Sequence, residues 1–152
     1  MTYDELRGKY PSINIIEMDL SGIENLKGLC IDDNIAIEKS MLPIEKSCIL
    51  AEELGHYHTT YGDILDQTDT GNRKQELRAR MWAYDKQIGL LGIIRCFEAG
   101  CRSLSEMAEL LDVTEEFLSE ALDRYRQKYG IYTNVDQYII YFEPNLTVVK
   151  IG

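Results

Sequence analysis

The chain has 152 residues, 45% hydrophobic and 28% charged, with 26 acidic against 16 basic side chains and a net charge of −10. That length suits a single folded body with a small appended unit, and the apolar content is enough to bury a core. The charge argues against a phosphate-binding surface, because nucleic-acid affinity rests on Lys and Arg displacing condensed counterions; a protein or peptide partner fits better.

The first residues, Met1-Thr2-Tyr3-Asp4-Glu5, hold neither the basic stretch nor the apolar segment of a secretory signal. Thr2 followed by Glu5 is a capping box, so a short helix is expected over 2–10, stopped by Pro11. Residues 13–17 (Ile-Asn-Ile-Ile-Glu) read as a strand and 22–25 as a loop. Two further strands, 26–31 and 35–38, flank the turn signal Asp32-Asp33-Asn34. In the second of them Ile35 and Ile37 alternate with Ala36 and Glu38, the pattern of a half-buried strand. Pro43, at a position where its missing N–H costs nothing, opens a helix running to Tyr57 or His58.

A polar connection follows, through Gly62-Asp63 and residues 66–72. The next helix is expected over 73–88, with Leu77, Met81, Tyr84 and Ile88 as its apolar stripe. Gly89 and Gly92 break it, and another short helix covers 93–99. The apolar run 89–94 is far below the ~20 residues that cross a bilayer, and no membrane contact is expected. Ser103 and Glu106 cap a helix over 104–111. Thr114 caps a second one, which ends near Tyr129 at Gly130. Residues 138–142 and 146–151 close the chain as a β-hairpin. Cys30, Cys48, Cys96 and Cys101 lack C-x-x-C spacing and read as buried thiols. The cytoplasm is the expected compartment.

Both histidines lie on the Pro43 helix, in Ile49-Leu50-Ala51-Glu52-Glu53-Leu54-Gly55-His56-Tyr57-His58. The segment is one substitution from H-E-x-x-H, in which two His four apart bind zinc and the intervening Glu is the general base. Here Glu52 stands at the first ligand position, Glu53 at the base and His56 at the second ligand. Spacings of three and four keep these side chains on one helical face. Gly55 would let another segment approach that face, and Glu76, twenty residues after His56, would supply a third ligand. Three protein ligands leave zinc a position for water. His58, two residues from His56, points elsewhere on a helix and is left out of the set; Asp63 is the reserve ligand.

The run Glu45-Lys46-x-Cys48-Ile49-Leu50-Ala51-Glu52-Glu53-Leu54-Gly55-His56-Tyr57, then Thr59-Thr60-x-Gly62-Asp63-Ile64, resembles the ImmA/IrrE metallo-endopeptidases, in particular their phage and mobile-element members. The family's second signature, E-x-x-A-x-x-[FW]-A, is matched by Glu76, Ala79, Trp82 and Ala83. The resemblance covers residues 1–100. It implies a zincin-like helical core over 1–100, behind the small N-terminal β-sheet; with the helix-turn-helix-like segment and closing β-hairpin read over 101–152, the expected fold is α+β. The resemblance places the general base on Glu53 and metal ligands on His56 and Glu76. The first His ligand of the family falls on Glu52, where this chain departs from the pattern. It further implies zinc, with Mn²⁺ as the harder alternative that two carboxylates favour. The implied substrate is a helix-turn-helix repressor of a mobile element. The rival expectation is a non-catalytic binding protein that keeps the fold and holds a repressor or antitoxin-like partner.

The C-terminal helices resemble a winged helix-turn-helix. The would-be recognition helix, however, opens on Glu115-Glu116, where base-reading residues lie. Residues 103–130 hold seven acidic against three basic side chains, so this segment is expected to dock protein rather than DNA.

Overall fold

The computed structural model describes residues 1–60 and 69–152 of the chain. Among these the protein is α+β, with six helices and two three-stranded sheets, and no helix is long and apolar enough to cross a membrane. It divides into two compact units, Met1–Lys86 and Gln87–Gly152. The helix after Gly89, grouped with the first segment by the sequence, thus falls in the second.

In the first unit, helix α1 (Tyr3–Lys9) starts at the expected capping box: Glu5 N–H donates to Thr2 Oγ1 and Thr2 N–H to Glu5 Oε1. Strands β1 (Asn14–Met18), β2 (Gly28–Ile31) and β3 (Asn34–Glu38) form a sheet of order β1-β3-β2. Strand β3 is parallel to β1 and antiparallel to β2. The β2–β3 connection is the two-residue turn Asp32-Asp33, with Asp32 in the left-handed region (φ 52°), a conformation that Asp tolerates better than most residues.

Central position changes what β3 exposes. The alternation suggested one solvated face, yet Ile35, Ala36, Ile37 and Glu38 are all buried. The buried Glu38 carboxylate accepts from Leu20 N–H (2.7 Å) and Ser40 N–H (2.9 Å), and these donors hold it below the usual carboxylate range.

Helix α2 (Pro43–Thr59) begins at Pro43 as expected and packs on α1, β2 and β3 through Cys48, Leu50, Ala51 and Leu54. Helix α3 (Asp69–Gln87) starts earlier than expected and faces the core differently. Tyr84 is buried as foreseen, but Leu77 is exposed, and the residues sealed completely are Ala79 and Ala83. The cause is close helix approach. A Cβ placed on Gly55 of α2 would lie 2.2 Å from the Ala79 carbonyl oxygen, so the two backbones touch there, and only small side chains fit beside that contact. The close approach that Gly55 was expected to permit is made by α3.

The second unit opens with α4 (Gly89–Glu98), after Gly89 with φ 64°. Gly92, expected to break the chain, lies inside this helix, 3.2 Å from Leu111 Cδ2 as measured from a built Cβ. Helices α5 (Leu104–Leu111) and α6 (Glu115–Tyr129) carry the expected caps, Ser103 Oγ accepting from Glu106 N–H and Thr114 Oγ1 from Phe117 N–H. Asp112 (φ 58°) turns the chain between them. The terminal sheet has three strands where a two-stranded hairpin was expected: β4 (Tyr132–Val135), β5 (Tyr138–Tyr141) and β6 (Thr147–Lys150), antiparallel in that order. Tyr125 is buried with its hydroxyl accepting from Gly89 N–H, and Tyr129 stacks on Phe142, so both tyrosines have a packing role.

Two helical glycines should respond to alanine with opposite signs. Gly55→Ala drives a methyl group into the α3 backbone and should cost at least the roughly 1–3 kcal/mol of ordinary overpacking. A Cβ on Gly8, in α1, meets nothing within 4 Å, so Gly8→Ala should stabilise by about 0.5–1 kcal/mol. Urea denaturation of both variants against the parent checks the pair.

Candidate functional site

The Gly55–Ala79 contact brings the polar edges of α2 and α3 together. One residue after Gly55, His56 Nε2 stands 3.4 Å from Glu76 Oε2, three residues before Ala79. The other oxygen of Glu76, Oε1, lies 3.8 Å from Arg80 Nε. His56 and Glu76, both expected as metal ligands, are thus brought side by side, with Glu76 half exposed and His56 more enclosed.

Glu53 lies on the side of α2 that meets the sheet. A Cβ on Gly28 of β2 would sit 2.9 Å from Glu53 Cγ and 3.1 Å from its Oε1. The missing side chain at Gly28 is what leaves room for this carboxylate against the edge strand. Burial, then the charges of Glu52 and Glu76, raise Glu53 to about 7. An ordinary glutamate is fully ionised at neutral pH; Glu53 is poised between its two forms there, the range in which a general base works best.

Two residues along the same strand, half-buried Cys30 has its thiol pushed up to about 11, by burial first and then by the charge of Glu53. Tyr57 donates to Asp33 Oδ1 at 3.2 Å, tying the end of α2 to the β2–β3 turn, and this bond raises the phenol. Sequence reasoning missed Gly28, Cys30 and Tyr57. A hairpin can be read locally, but nothing local says which strand of it passes beneath the helix.

His58, left out of the expected ligand set, is engaged elsewhere. Its Nδ1 donates to the Leu54 carbonyl at 2.7 Å, and its ring stacks on Trp82 with centroids 4.6 Å apart and planes 8° apart. Tyr10 packs against both rings. Asp63, the reserve ligand, and the rest of the 61–68 connection lie outside the described residues.

The donor set can be tested against a metal's geometry. Two ligands of one tetrahedral zinc, each bonded at 2.0–2.1 Å, stand about 3.3 Å from each other, close to the His56–Glu76 separation. A third donor is not drawn in: among the described residues, no three His, Cys, Asp or Glu side chains converge to hold a metal ion. The chain matches no known family model, no curated protein and no solved structure.

The raised carboxyl gives a stability prediction for the metal-free protein. Glu53 binds its proton more tightly folded than unfolded, so its contribution is present in full below about pH 4.5 and is lost as pH rises through about 7. The groups that set the shift are burial, Glu52 and Glu76. Glu53→Gln should flatten this part of the pH profile and, at pH 8 in chelator, exceed the parent in stability by roughly 2–3 kcal/mol. Denaturation at pH 4.5, 6 and 8 measures it.

Proposed function

We propose that the first unit is a metal-dependent endopeptidase centre with a zincin-like core, working in the cytoplasm. One observation carries the reading. Helices α2 and α3 touch at Gly55–Ala79 so that His56 meets Glu76 at a metal-compatible distance, beside a glutamate raised to about 7.

His56 and Glu76 would hold the ion, with Glu52, one turn before His56 on the same face, turning in as the third donor. Zn²⁺, or Mn²⁺ given two carboxylates, would polarise a scissile carbonyl and acidify a water. Glu53 then accepts the proton of the attacking water and delivers it to the leaving amine. Strand β2 lies at the edge of its sheet, beside Glu53. An extended peptide can pair with such an edge through its backbone, which would bring its carbonyls to the glutamate. The substrate implied by the resemblance in residues 45–64 and 76–83 is a helix-turn-helix repressor of a mobile element. The acidic α5–α6 surface is a suitable dock for such a basic protein.

A second reading rests on the ligand chemistry: with Glu52 in place of histidine at the first ligand position, the unit would be a non-catalytic holder of the same class of partner. The two readings part at Glu52. Under the first, Glu52→Ala weakens metal binding; under the second, the parent holds no metal and Glu52→His creates a site.

Metal content by mass spectrometry, on protein purified without chelator or affinity tag, tests the proposal. About one equivalent of zinc or manganese is expected, lost in His56→Ala. Glu53→Gln should keep the metal and lose about 10²-fold or more of the cleavage of a proteome-derived peptide library. An unloaded parent that stays unloaded in excess ion would overturn the catalytic reading.

A further inference from the structure

The second unit carries a feature unconnected with the site above. Helix α4 ends in a Schellman motif: Gly100 sits in the left-handed region (φ 80°), its N–H donates to Phe97 O, and Cys101 N–H donates to Cys96 O at 3.0 Å. In this motif the residue after the left-handed glycine folds back over the last turn of the helix and contacts the residue that accepts its bond. Here both of those residues are cysteines.

The 3.0 Å bond limits the two Cα atoms to within about 7 Å of each other by standard backbone dimensions, and disulfides span Cα separations of about 4.4–6.8 Å. The two thiols differ in access: Cys96 is 1% exposed, whereas Cys101 is partly open to solvent. Both line an apolar cavity of about 220 Å³ with Phe97, Met107 and Val148. Burial, then contact with the Cys101 thiol, pushes Cys96 up to about 11. It is therefore a poor first target but lies beside a better one.

We propose that Cys96 and Cys101 form a peroxide-oxidisable dithiol, with Cys101 as the attacking and Cys96 as the resolving thiol. Cys101 sulfur attacks one oxygen of a hydroperoxide, the O–O bond breaks, and Cys101 becomes a sulfenic acid with release of water or alcohol. Cys96 sulfur then attacks Cys101 sulfur. The S–O bond breaks, and the departing hydroxide takes the Cys96 proton and leaves as water. Two thiols have given up two electrons in all, and the peroxide has accepted them. The product fixes the end of α4 to the turn that follows it, along one wall of the cavity.

Trypsin should excise both cysteines in the single peptide 96–102, bounded by Arg95 and Arg102. The full-length protein is treated with hydrogen peroxide in slight excess, then unfolded, alkylated and digested. Peptide 96–102 should lack two hydrogens and carry no alkyl group, while Cys48, buried and remote in sequence, is alkylated. Cleavage after Glu98 should leave its halves joined. Cys101→Ser, at a part-exposed position, should leave Cys96 reduced. Gly100→Ala, which strains the left-handed position, should slow disulfide formation about tenfold or more. Three results would overturn the proposal: Cys101 accumulating as sulfinic acid with Cys96 alkylated, oxidation of Cys96 in Cys101→Ser, or disulfide-linked dimers in place of the intrapeptide bond.

Discussion

The first unit depends on the backbone contact between Gly55 and Ala79. Helices in ordinary packing are held about 8–10 Å apart by their side chains; a glycine opposite an alanine removes that spacer, and here a Cβ would fall 2.2 Å from a carbonyl oxygen. Polar groups on the two helices are thereby forced to within bonding distance. His56 meets Glu76 on one flank of the contact, and His58 meets Trp82 further along α2. With bulkier residues at positions 55 and 79, the same polar side chains would stand apart in water.

The approach also has an electrostatic cost. Glu52, Glu53 and Glu76 are brought into one neighbourhood of a chain already at −10. Burial prevents water from fully screening Glu53, and it responds by keeping a proton to about pH 7. Structural acids elsewhere in the protein behave in the opposite way: Glu38 is buried but receives two backbone N–H donors, and stays below the usual range. Comparing the two separates burial from provision. Glu38 is a carboxylate the fold supplies with donors; Glu53 is one the fold leaves beside other negative charges. Such frustration is characteristic of sites that bind a cation or move a proton.

What could be read from the sequence was what is decided locally. The caps at Thr2, Ser103 and Thr114, the Asp32-Asp33 turn and the Pro43 start each depend on a few neighbouring residues, and each was legible. The single helix that carries Glu52, Glu53 and His56 was also legible from its periodicity. Partners chosen over long range were harder. The parallel β1–β3 pairing, which buries Glu38 and both faces of β3, leaves no mark in the alternation of Ile35 to Glu38. In α3 the eye follows large residues, so Leu77 was placed inside; a helix pressed against a glycine buries its smallest residues, Ala79 and Ala83. Gly92 was misread for a related reason: a glycine in a helical pattern can break the helix or admit a neighbour, and here it faces Leu111. Strand β4 escaped because Tyr132 to Val135 is short and half polar, and pairs only once β5 is in place.

The second unit shows how weakly topology fixes function. Helices α5 and α6 are joined by a three-residue turn and followed by a sheet, the order of elements expected of a winged helix-turn-helix. The N-terminus of α6 nonetheless carries Glu115 and Glu116, which suit a helix's positive end but would repel phosphate in a groove. The same two residues thus favour the helix end and place negative charge where a phosphate would have to sit. These acidic side chains cost the helix nothing, since the macrodipole already favours negative charge at that end. Charge placement therefore distinguishes these helices where their connectivity does not.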